Sequence, residues 1–235
     1  MPDQLDTVLD VLCEDPSCCS ERLLHAAGIL YARQGFDSIS TRQVTSAAGV
    51  NLAAIAYYFG GKDGLQQAVI DHVVARSNEH IGRIFTDLDS AIDAANGEPA
   101  RLAEATAQFG SEILHTCLPL DPQTWWVAVI TRALGLQSPG EEPIYEAVFL
   151  PCHRVIRKLV ATATGESDFE RLGILTEALV GDFLMICRNQ PIVLRSLGWD
   201  HFTPERIDQV AAVVSNRMLG RLNLPAASVA AVAAE

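Results

Sequence analysis

The chain has 235 residues, of which 49% are hydrophobic, and a formal net charge of −12. This length accommodates a small domain followed by a larger one. Charged residues interrupt the apolar stretches, as Asp182 does between Ala178 and Cys187, so none reaches the roughly 20 apolar residues that span a bilayer. The negative charge disfavours a protein that coats nucleic acid with its whole surface, but it permits a local DNA-binding face.

The N-terminal segment and the cysteines exclude several further classes. Residues 1–16 are acidic and contain two prolines, so we expect a mobile tail. The first twenty residues contain no basic residue, the reverse of a secretory signal, which favours a cytoplasmic protein without a membrane partner. The six cysteines have neither CxxC spacing nor the density of a disulfide scaffold, so we predict no metal site. No cofactor is predicted either. A redox response of Cys13, Cys18 and Cys19 stays open.

A first helix is predicted from Ser20, a candidate N-cap, to Gly35, which can adopt the left-handed conformation of a C-cap. Apolar residues recur three and four positions apart between these two ends. Gly28 inside the helix costs about 1 kcal/mol relative to alanine. We therefore expect close packing against a neighbour at this position.

Two short helices joined by a tight turn are predicted next. Ser40 and Gln43 have the spacing of a capping box, which begins the second helix. Gly49 ends that helix, and Asn51 can cap a third helix over residues 52–59. Two short helices joined by a turn that contains glycine are typical of a helix-turn-helix.

The rest of the chain is helical in character, without an alternating strand pattern of useful length. A long amphipathic helix is predicted from near Lys62, and we predict further helices at about 100–117, 122–137, 143–163, 167–188 and 204–221. The sequence therefore predicts an all-α fold with an N-terminal three-helix helix-turn-helix DNA-binding domain and a larger C-terminal helical domain. The predicted parts are a mobile tail at 1–16, the DNA-binding domain at 17–77, the larger domain at 78–224 and a flexible tail at 225–235.

The stretch SERLLHAAGILYARQGFDSISTRQVTSAAGVNLAAIAYYFGGKDGL resembles the DNA-binding domain of the TetR family of transcriptional regulators. It has an opening helix that ends in a glycine and an aromatic residue, an AAGV corner, a third helix ending in YYF, and a lysine three residues later. The later segments PIYEAVFLPCHRVIRKLVA and LVGDFLMICRNQPIVLRSLGWDHFTPERIDQVAAVV resemble the C-terminal domain of the subgroup typified by CecR. The resemblance implies a homodimer that binds a double-stranded DNA operator and a small-molecule effector, whose identity is unknown.

Nine residues are predicted to contact DNA. Tyrosine hydroxyls and a lysine ammonium group suit phosphate oxygens, whereas the start of the third helix meets base edges. The predicted backbone contacts are Thr41, Arg42, Tyr57, Tyr58 and Lys62. The predicted base readers are Asn51, Leu52, Ala53 and Ala54.

Two positions depart from the commonest pattern of the family. Many members have a tyrosine where this chain has Ala56, and a polar or basic residue where it has Leu52. With two alanines and a leucine on the reading surface, we expect thymine methyl contacts and DNA shape to contribute much of the specificity. The alternative is an ordinary bundle corner in which Tyr57, Tyr58 and Phe59 are core aromatics.

Two late helices carry apolar rows that can form a four-helix bundle across a two-fold axis. The predicted dimer residues are Leu172, Leu175, Leu179, Phe183, Ile207, Val210, Val214 and Met218. The alternative is that these rows pack only within one subunit. A mostly apolar pocket with a few polar groups suits an organic effector. Its candidate residues, each of which also fits a core position, are Phe109, His115, Trp125, Trp126, Arg132, Tyr145 and Phe149.

The function predicted from the sequence is a ligand-responsive repressor that binds a palindromic operator as a homodimer, with activation left open. An adaptor that has lost DNA binding is one alternative, because the chain is acidic and the third helix has few polar groups. A helical enzyme that uses the cavity is another. No Ser/His/Asp set, phosphate-cradling glycine loop or pair of catalytic carboxylates is located by spacing, so we predict no catalytic residue and no enzyme.

Overall fold

The computed structural model describes residues 19–118, 124–133 and 140–227, and within these ranges every regular element is a helix. This confirms the predicted all-α class. The helices are α1 (Cys19–Gln34), α2 (Thr41–Ala48), α3 (Ala53–Phe59), α4 (Lys62–Ser77), α5 (Arg83–Ala95), α6 (Pro99–Cys117), α7 (Trp125–Ala133), α8 (Glu141–Ile144), α9 (Leu150–Thr164), α10 (Phe169–Arg188), α11 (Gln190–Leu197) and α12 (Pro204–Arg221). Two π-helical turns, Asn78–Gly82 and Tyr145–Phe149, precede α5 and α9.

The helices form two compact units. The first unit contains α1 to α4 together with α7 and α8, and the second contains residues 78–118 and 148–227. The first stretch of the first unit ends at Ser77, next to the boundary predicted at residue 78. The first unit also contains α7 and α8, which the prediction placed in the larger domain. The predicted tail at 1–16, and all but residues 225–227 of the tail at 225–235, lie outside the described residues.

Local hydrogen bonds define the ends of the short helices in the first unit. The Ser40 hydroxyl accepts the Gln43 N–H at 3.3 Å, and Gln43 Oε1 accepts the Ser40 N–H at 2.9 Å, so the capping box is present. Gly49 ends α2 with a φ of 64°, a conformation that favours glycine. Asn51 Oδ1 accepts the Ala53 N–H at 3.0 Å, but α3 begins at Ala53, one residue later than predicted, so Leu52 and not Asn51 occupies the N-cap position.

Helix α1 is central to the first unit and packs against α2, α3, α4 and α7. It ends at Gly35, whose N–H donates to the Tyr31 carbonyl at 2.8 Å. The Phe36 ring then folds back and stacks on Tyr31 with a centroid distance of 4.6 Å. The prediction that Ser20 is the N-cap was wrong, because Cys19 before it is already helical.

The hydrophobic core of the helix-turn-helix follows the apolar pattern of its sequence. Buried positions come from both short helices, and half-buried ones surround them. The buried members are Val44, Ala48 and Ile55, and the half-buried members are Ala47, Val50 and Phe59. This small core fixes the side of α3 that is left for solvent.

Gly28 of α1 lies against the indole ring of Trp125 on α7. A Cβ atom at residue 28 would lie 2.4 Å from Trp125 Cζ3, well inside van der Waals contact. The close packing expected at this glycine is therefore packing against an aromatic ring that is about 100 residues away in the chain.

We expect Gly28→Ala to lower the free energy of unfolding by about 1–2 kcal/mol, because the cost of overpacking exceeds the roughly 1 kcal/mol gained in helix propensity. Urea unfolding of the full chain measures the change. Gly173→Ala in α10 is the matched control, since the nearest atom to its added Cβ is Arg157 Nη2 at 3.7 Å. Equal stability of the two variants would contradict the steric argument.

The second unit is built on the packing of α6 against α12 and α5, with α9 packed on α5 and α10. Gly110 of α6 permits the close approach of α12, because a Cβ there would lie 2.4 Å from Ser215 Oγ. Lys158 of α9 pairs with Asp89 and Asp93 of α5 at 2.7 Å each. In the described part of the chain, one side of α10 and α12 stays exposed to solvent.

Candidate nucleic-acid interface

One side of α3 is exposed to solvent, while the other is anchored in the core through Ile55. Leu52 at the start of the helix is 45% exposed, Ala53 is exposed, and Ala54 is half-buried. These side chains offer hydrocarbon groups only. The residues predicted to read base edges therefore form a small, nearly apolar surface.

The two tyrosines of α3 lie at its C-terminal end. Tyr57 is 82% exposed and Tyr58 is 41% exposed, so neither is a core aromatic, and the alternative of a bundle corner was wrong for both. Their rings meet edge to face with a centroid distance of 4.9 Å. Desolvation, followed by the neighbouring Cys19 thiol, raises the pKa of Tyr58 above its ordinary value. The hydroxyl thus stays protonated and can donate a hydrogen bond to a phosphate oxygen.

The predicted cationic and hydroxyl contacts begin the two flanking helices. Thr41 and Arg42 are the first two residues of α2, and Lys62 is the first residue of α4. Arg42 is exposed and the other two are half-buried. Within the part of the chain that the structure describes, neither Arg42 nor Lys62 is paired with a carboxylate. Both charges suit phosphate oxygens.

Asn51 has a structural task as well as its predicted reading role. Its side-chain oxygen is occupied by the Ala53 N–H. The NH₂ group of this exposed side chain, and the second lone pair of its oxygen, are left for a base edge. The predicted role of Asn51 in reading base edges stays a prediction.

Two neighbours of this surface were missed by the sequence reasoning. The Cys19 thiol at the start of α1 lies close enough to Tyr58 at the end of α3 to contribute to the raised pKa of that hydroxyl. The Arg22 guanidinium covers Gly49, where an added Cβ would lie 2.8 Å from Nη2. Both contacts join residues at least 27 positions apart, and no local pattern in the sequence signals them.

The apolar rows predicted for dimerisation lie largely inside the second unit. Four of their residues are buried within the subunit, and the others are half-buried or partly exposed. The buried residues are Leu179, Ile207, Val214 and Met218, the half-buried ones are Leu172, Phe183 and Val210, and Leu175 is partly exposed. The buried four offer no surface to a partner, because α12 uses its row to pack on α6 and Leu179 is buried on α10, which packs on α9.

The same two helices expose a different set of apolar and small residues. Ile174, Ala178, Gly181 and Met185 follow one another on α10 at helical spacing, and all four are exposed. Val213 of α12 is 62% exposed. We call these five residues the apolar stripe.

Two protein-family models match the sequence. The model described as "Bacterial regulatory proteins, tetR family" matches residues 23–69. The model described as "HTH-type transcriptional dual regulator CecR, C-terminal domain" matches residues 104–222, which is half of the chain. The chain belongs to the TetR family. It is a DNA-binding transcriptional regulator with a CecR-type C-terminal domain.

Curated TetR-family proteins are similar in sequence. The HTH-type transcriptional dual regulator CecR of Shigella flexneri is 25% identical over 202 residues, which cover 83% of this chain and 87% of that protein. The HTH-type transcriptional regulator BetI of Brucella suis is 33% identical over 102 residues, which cover 41% of this chain and 48% of that protein. The first similarity extends over both units, whereas the second covers less than half of the chain.

Solved structures of TetR-family regulators have the same fold. A regulator from Mesorhizobium loti superposes with a TM-score of 0.51 at 16% identity, covering 88% of this chain and 98% of its own. PfmR from Thermus thermophilus superposes with a TM-score of 0.50 at 18% identity, covering 84% of this chain and 94% of its own. At these identities the likeness concerns the fold alone.

The predicted ligand residues of this TetR-family protein are divided between its units. Trp125, Trp126, Arg132 and Tyr145 belong to the first, and Phe109, His115 and Phe149 belong to the second. Several already have partners: Phe109 packs edge to face on Phe85 at 5.1 Å, and His115 lies 2.8 Å from Asp208. Trp125 and Trp126 are buried, and Tyr145 is 42% exposed.

A cavity of about 240 Å³ lies in the first unit, between the end of α1, the loop after it, and α7. Of the predicted ligand residues only Arg132 lines it. Asp37 contributes a negative charge and Tyr31 an aromatic wall. The ligand assignment for the whole set thus stays a prediction.

The remaining expectations concern cysteines, metals and membranes. Cys13 and Cys18 lie outside the described residues, and Cys19 is a half-buried free thiol. Residues 19–118, 124–133 and 140–227 contain no group of three or more side chains arranged to hold a metal ion. No helix among these residues is long and apolar enough to cross a membrane.

Proposed function

We propose that this regulator is a repressor that binds a palindromic operator as a homodimer and releases it when a small-molecule effector binds. The observation that carries the proposal is the exposed side of α3, where an apolar reading surface is followed by two solvent-exposed tyrosines. The hydrocarbon surface suits the base edges of the major groove, and the hydroxyl donors suit the phosphates that border it.

The homodimer is supported by the apolar stripe on α10 and α12. Exposed aliphatic residues beside small ones allow two helices of each subunit to pack closely across a two-fold axis. Two copies of the helix-turn-helix, about 34 Å apart, then meet successive major grooves on one face of the duplex. Effector binding, which we assign to the predicted larger domain at residues 78–224, changes this separation and lowers affinity.

The central test is a fluorescence anisotropy titration of the full chain with a labelled fragment of its own upstream DNA, at defined salt. We expect saturable binding with two chains per site, and footprinting that protects a palindrome. Absence of binding in dilute salt would contradict the proposal and favour the adaptor alternative. Reporter expression that falls when the regulator is supplied distinguishes repression from activation. The CecR relative is named a dual regulator, so a rise in reporter expression at some promoters is the outcome that competes with repression.

Tyr57→Phe removes one exposed hydroxyl from α3 and should weaken binding by about tenfold, because a hydrogen bond to a charged phosphate contributes about 1.5 kcal/mol. The loss should be similar for the operator and for unrelated DNA, since phosphate contacts carry no base information. Anisotropy titrations with both fragments measure it. Tyr145→Phe, which removes another exposed hydroxyl, is the control and should bind like the wild type. A loss confined to the operator would assign Tyr57 to base reading.

The proposal includes neither catalysis nor a cofactor. Regulation of transcription requires only that DNA and effector bind to the same protein with coupled affinities. Operator DNA also sets the location that we propose, which is the cytoplasm. Turnover of the effector by the purified chain would overturn the non-enzymatic part of the proposal.

A further inference from the structure

Three aromatic side chains from three helices of the first unit form a cluster. The members are His25 of α1, His72 of α4 and Trp125 of α7, and we call them the histidine–tryptophan cluster. Trp125 is 5% exposed, and both histidines are half-buried. The cluster lies where α7 packs on α1 and α4, the two helices that flank the helix-turn-helix.

The contacts within the cluster are directional. Trp125 Nε1 donates its hydrogen to His25 Nδ1 at 3.2 Å. The His72 ring stacks on the indole at 5.2 Å with an interplanar angle of 15°. The two imidazole rings are 6.1 Å apart. The bond from Trp125 requires an unprotonated Nδ1, so the His25 ring must be uncharged, with its proton on Nε2.

We propose that His25 is a positioning residue for DNA binding: its uncharged ring accepts the Trp125 indole N–H and so holds α7 on α1 and α4, and protonation breaks this hold. When Nδ1 acquires a proton, two donors face each other and the buried indole N–H loses its acceptor. Helix α1 packs on α2 and α3, so a change in its support reaches the surface that meets DNA.

The surroundings keep both rings uncharged near neutral pH. Burial lowers the pKa of His25 below its ordinary value, and the opposing charge of Glu21 on α1 has the smaller effect. Burial also lowers the pKa of His72, with smaller contributions from His25 and from Arg76 of α4. Helix α7 contributes no charged group here, because its only ionised side chain is Arg132, two turns away. The carboxylates of α8, Glu141 and Glu142, are not among the groups that shift either ring.

The lowered pKa of His25 determines how the stability of the cluster changes with pH. Unfolded histidine titrates near pH 6.5, and the folded ring titrates at a lower pH. The stabilisation by the uncharged ring is therefore complete above about pH 6.5 and is lost as the pH falls through the lowered folded value. His72 does not act in the same way, because a cation stacked on an indole face is attracted to it. Protonation of His25 therefore breaks the hydrogen bond from Trp125, whereas protonation of His72 breaks no bond in the cluster.

The test is operator binding by the full chain between about pH 7.5 and pH 5.0 at constant ionic strength, with a labelled fragment of its upstream DNA. Below the folded pKa of His25, the dissociation constant of the wild type should rise by about tenfold per pH unit, because the competent fraction falls in that proportion. His25→Asn places a non-titrating amide oxygen near the position of Nδ1 and should bind independently of pH. His72→Asn and the exposed control His201→Asn should keep the dependence of the wild type.

A second measurement does not require DNA. The Trp125 indole N–H signal in a ¹⁵N correlation spectrum, assigned with Trp125→Phe, should shift with acid in the wild type and stay constant in His25→Asn. An unmoved wild-type signal, or a pH dependence that persists in His25→Asn, would overturn the proposal. Because the spectrum needs no operator, failure of DNA binding at every pH would count against the regulator function and not against the cluster.

Discussion

Replacing Ala53 by glutamate is expected to weaken operator binding by about 100-fold or more, because opposing a like charge at an interface costs several kcal/mol. Ala53 is exposed and is the first residue of α3, at the centre of the predicted reading surface. A carboxylate there would face phosphates and the acceptor-rich edges of the bases. The same carboxylate is favourable in the first turn of a helix, so the fold should be unchanged.

A matched control separates the local effect from total charge. Ala100→Glu places the same charge at an exposed position in the first turn of α6. Anisotropy titrations at defined salt should show near wild-type affinity for this control, and circular dichroism should show equal melting temperatures for both variants. Affinities that agree within about threefold between the two variants would mean that α3 does not enter the groove.

Val213→Glu is expected to separate the dimer into monomers and to lower operator affinity by about 10²- to 10⁴-fold, the usual gain from binding through two linked sites. In the proposed dimer, Val213 meets apolar groups of a second copy, where a buried carboxylate has no partner. Sedimentation velocity at micromolar concentration measures the mass, and anisotropy measures the affinity.

The control for this prediction is another aliphatic residue of the same unit. Leu150 at the start of α9 is 44% exposed and lies outside the apolar stripe. Leu150→Glu should therefore remain dimeric and bind DNA normally. If Val213→Glu stays dimeric, the apolar stripe is not the dimer interface. If it stays dimeric but no longer binds DNA, the substitution acts through the fold and not through dimerisation.

The local features of the DNA-binding unit were predictable from the sequence because their causes are local. Ser40 and Gln43 satisfy each other's backbone donors across three residues, and Gly49 has the positive φ that a helix end requires. The predicted helices at 100–117, 167–188 and 204–221 match α6, α10 and α12 to within two residues. Capping within a few residues and a clear helical periodicity of the apolar residues account for this agreement.

Features that depend on tertiary packing were not predictable in the same way. The helix predicted at 143–163 is divided into α8, a π-helical turn and α9, and α11 was not predicted at all. An apolar row such as Ile207, Val214 and Met218 has the same period whether it meets α6 or a second subunit. Periodicity identifies a buried face but not the surface that covers it.

The candidate site also combines features that were predictable from local sequence with features that depend on tertiary packing. The exposure of Tyr57 and Tyr58 follows from the helical pattern of α3, since Ile55 fixes the buried side. The bond between Trp125 and His25 joins residues 100 positions apart, and nothing near either residue in the sequence indicates it. A single sequence therefore indicates the solvent-exposed side of α3, but not the contacts that support it.

In the proposed complex with DNA, the hydrocarbon character of Leu52, Ala53 and Ala54 has a consequence for epigenetic marks on the operator. In the major groove, 5-methylcytosine carries a methyl group at the same ring position as thymine. A reader that senses this group by van der Waals contact responds to the methyl itself and not to the base that bears it. Enzymatic methylation of a cytosine beneath α3 would then add a favourable contact, and promoter occupancy would depend on the modification state of the chromosome as well as on its sequence.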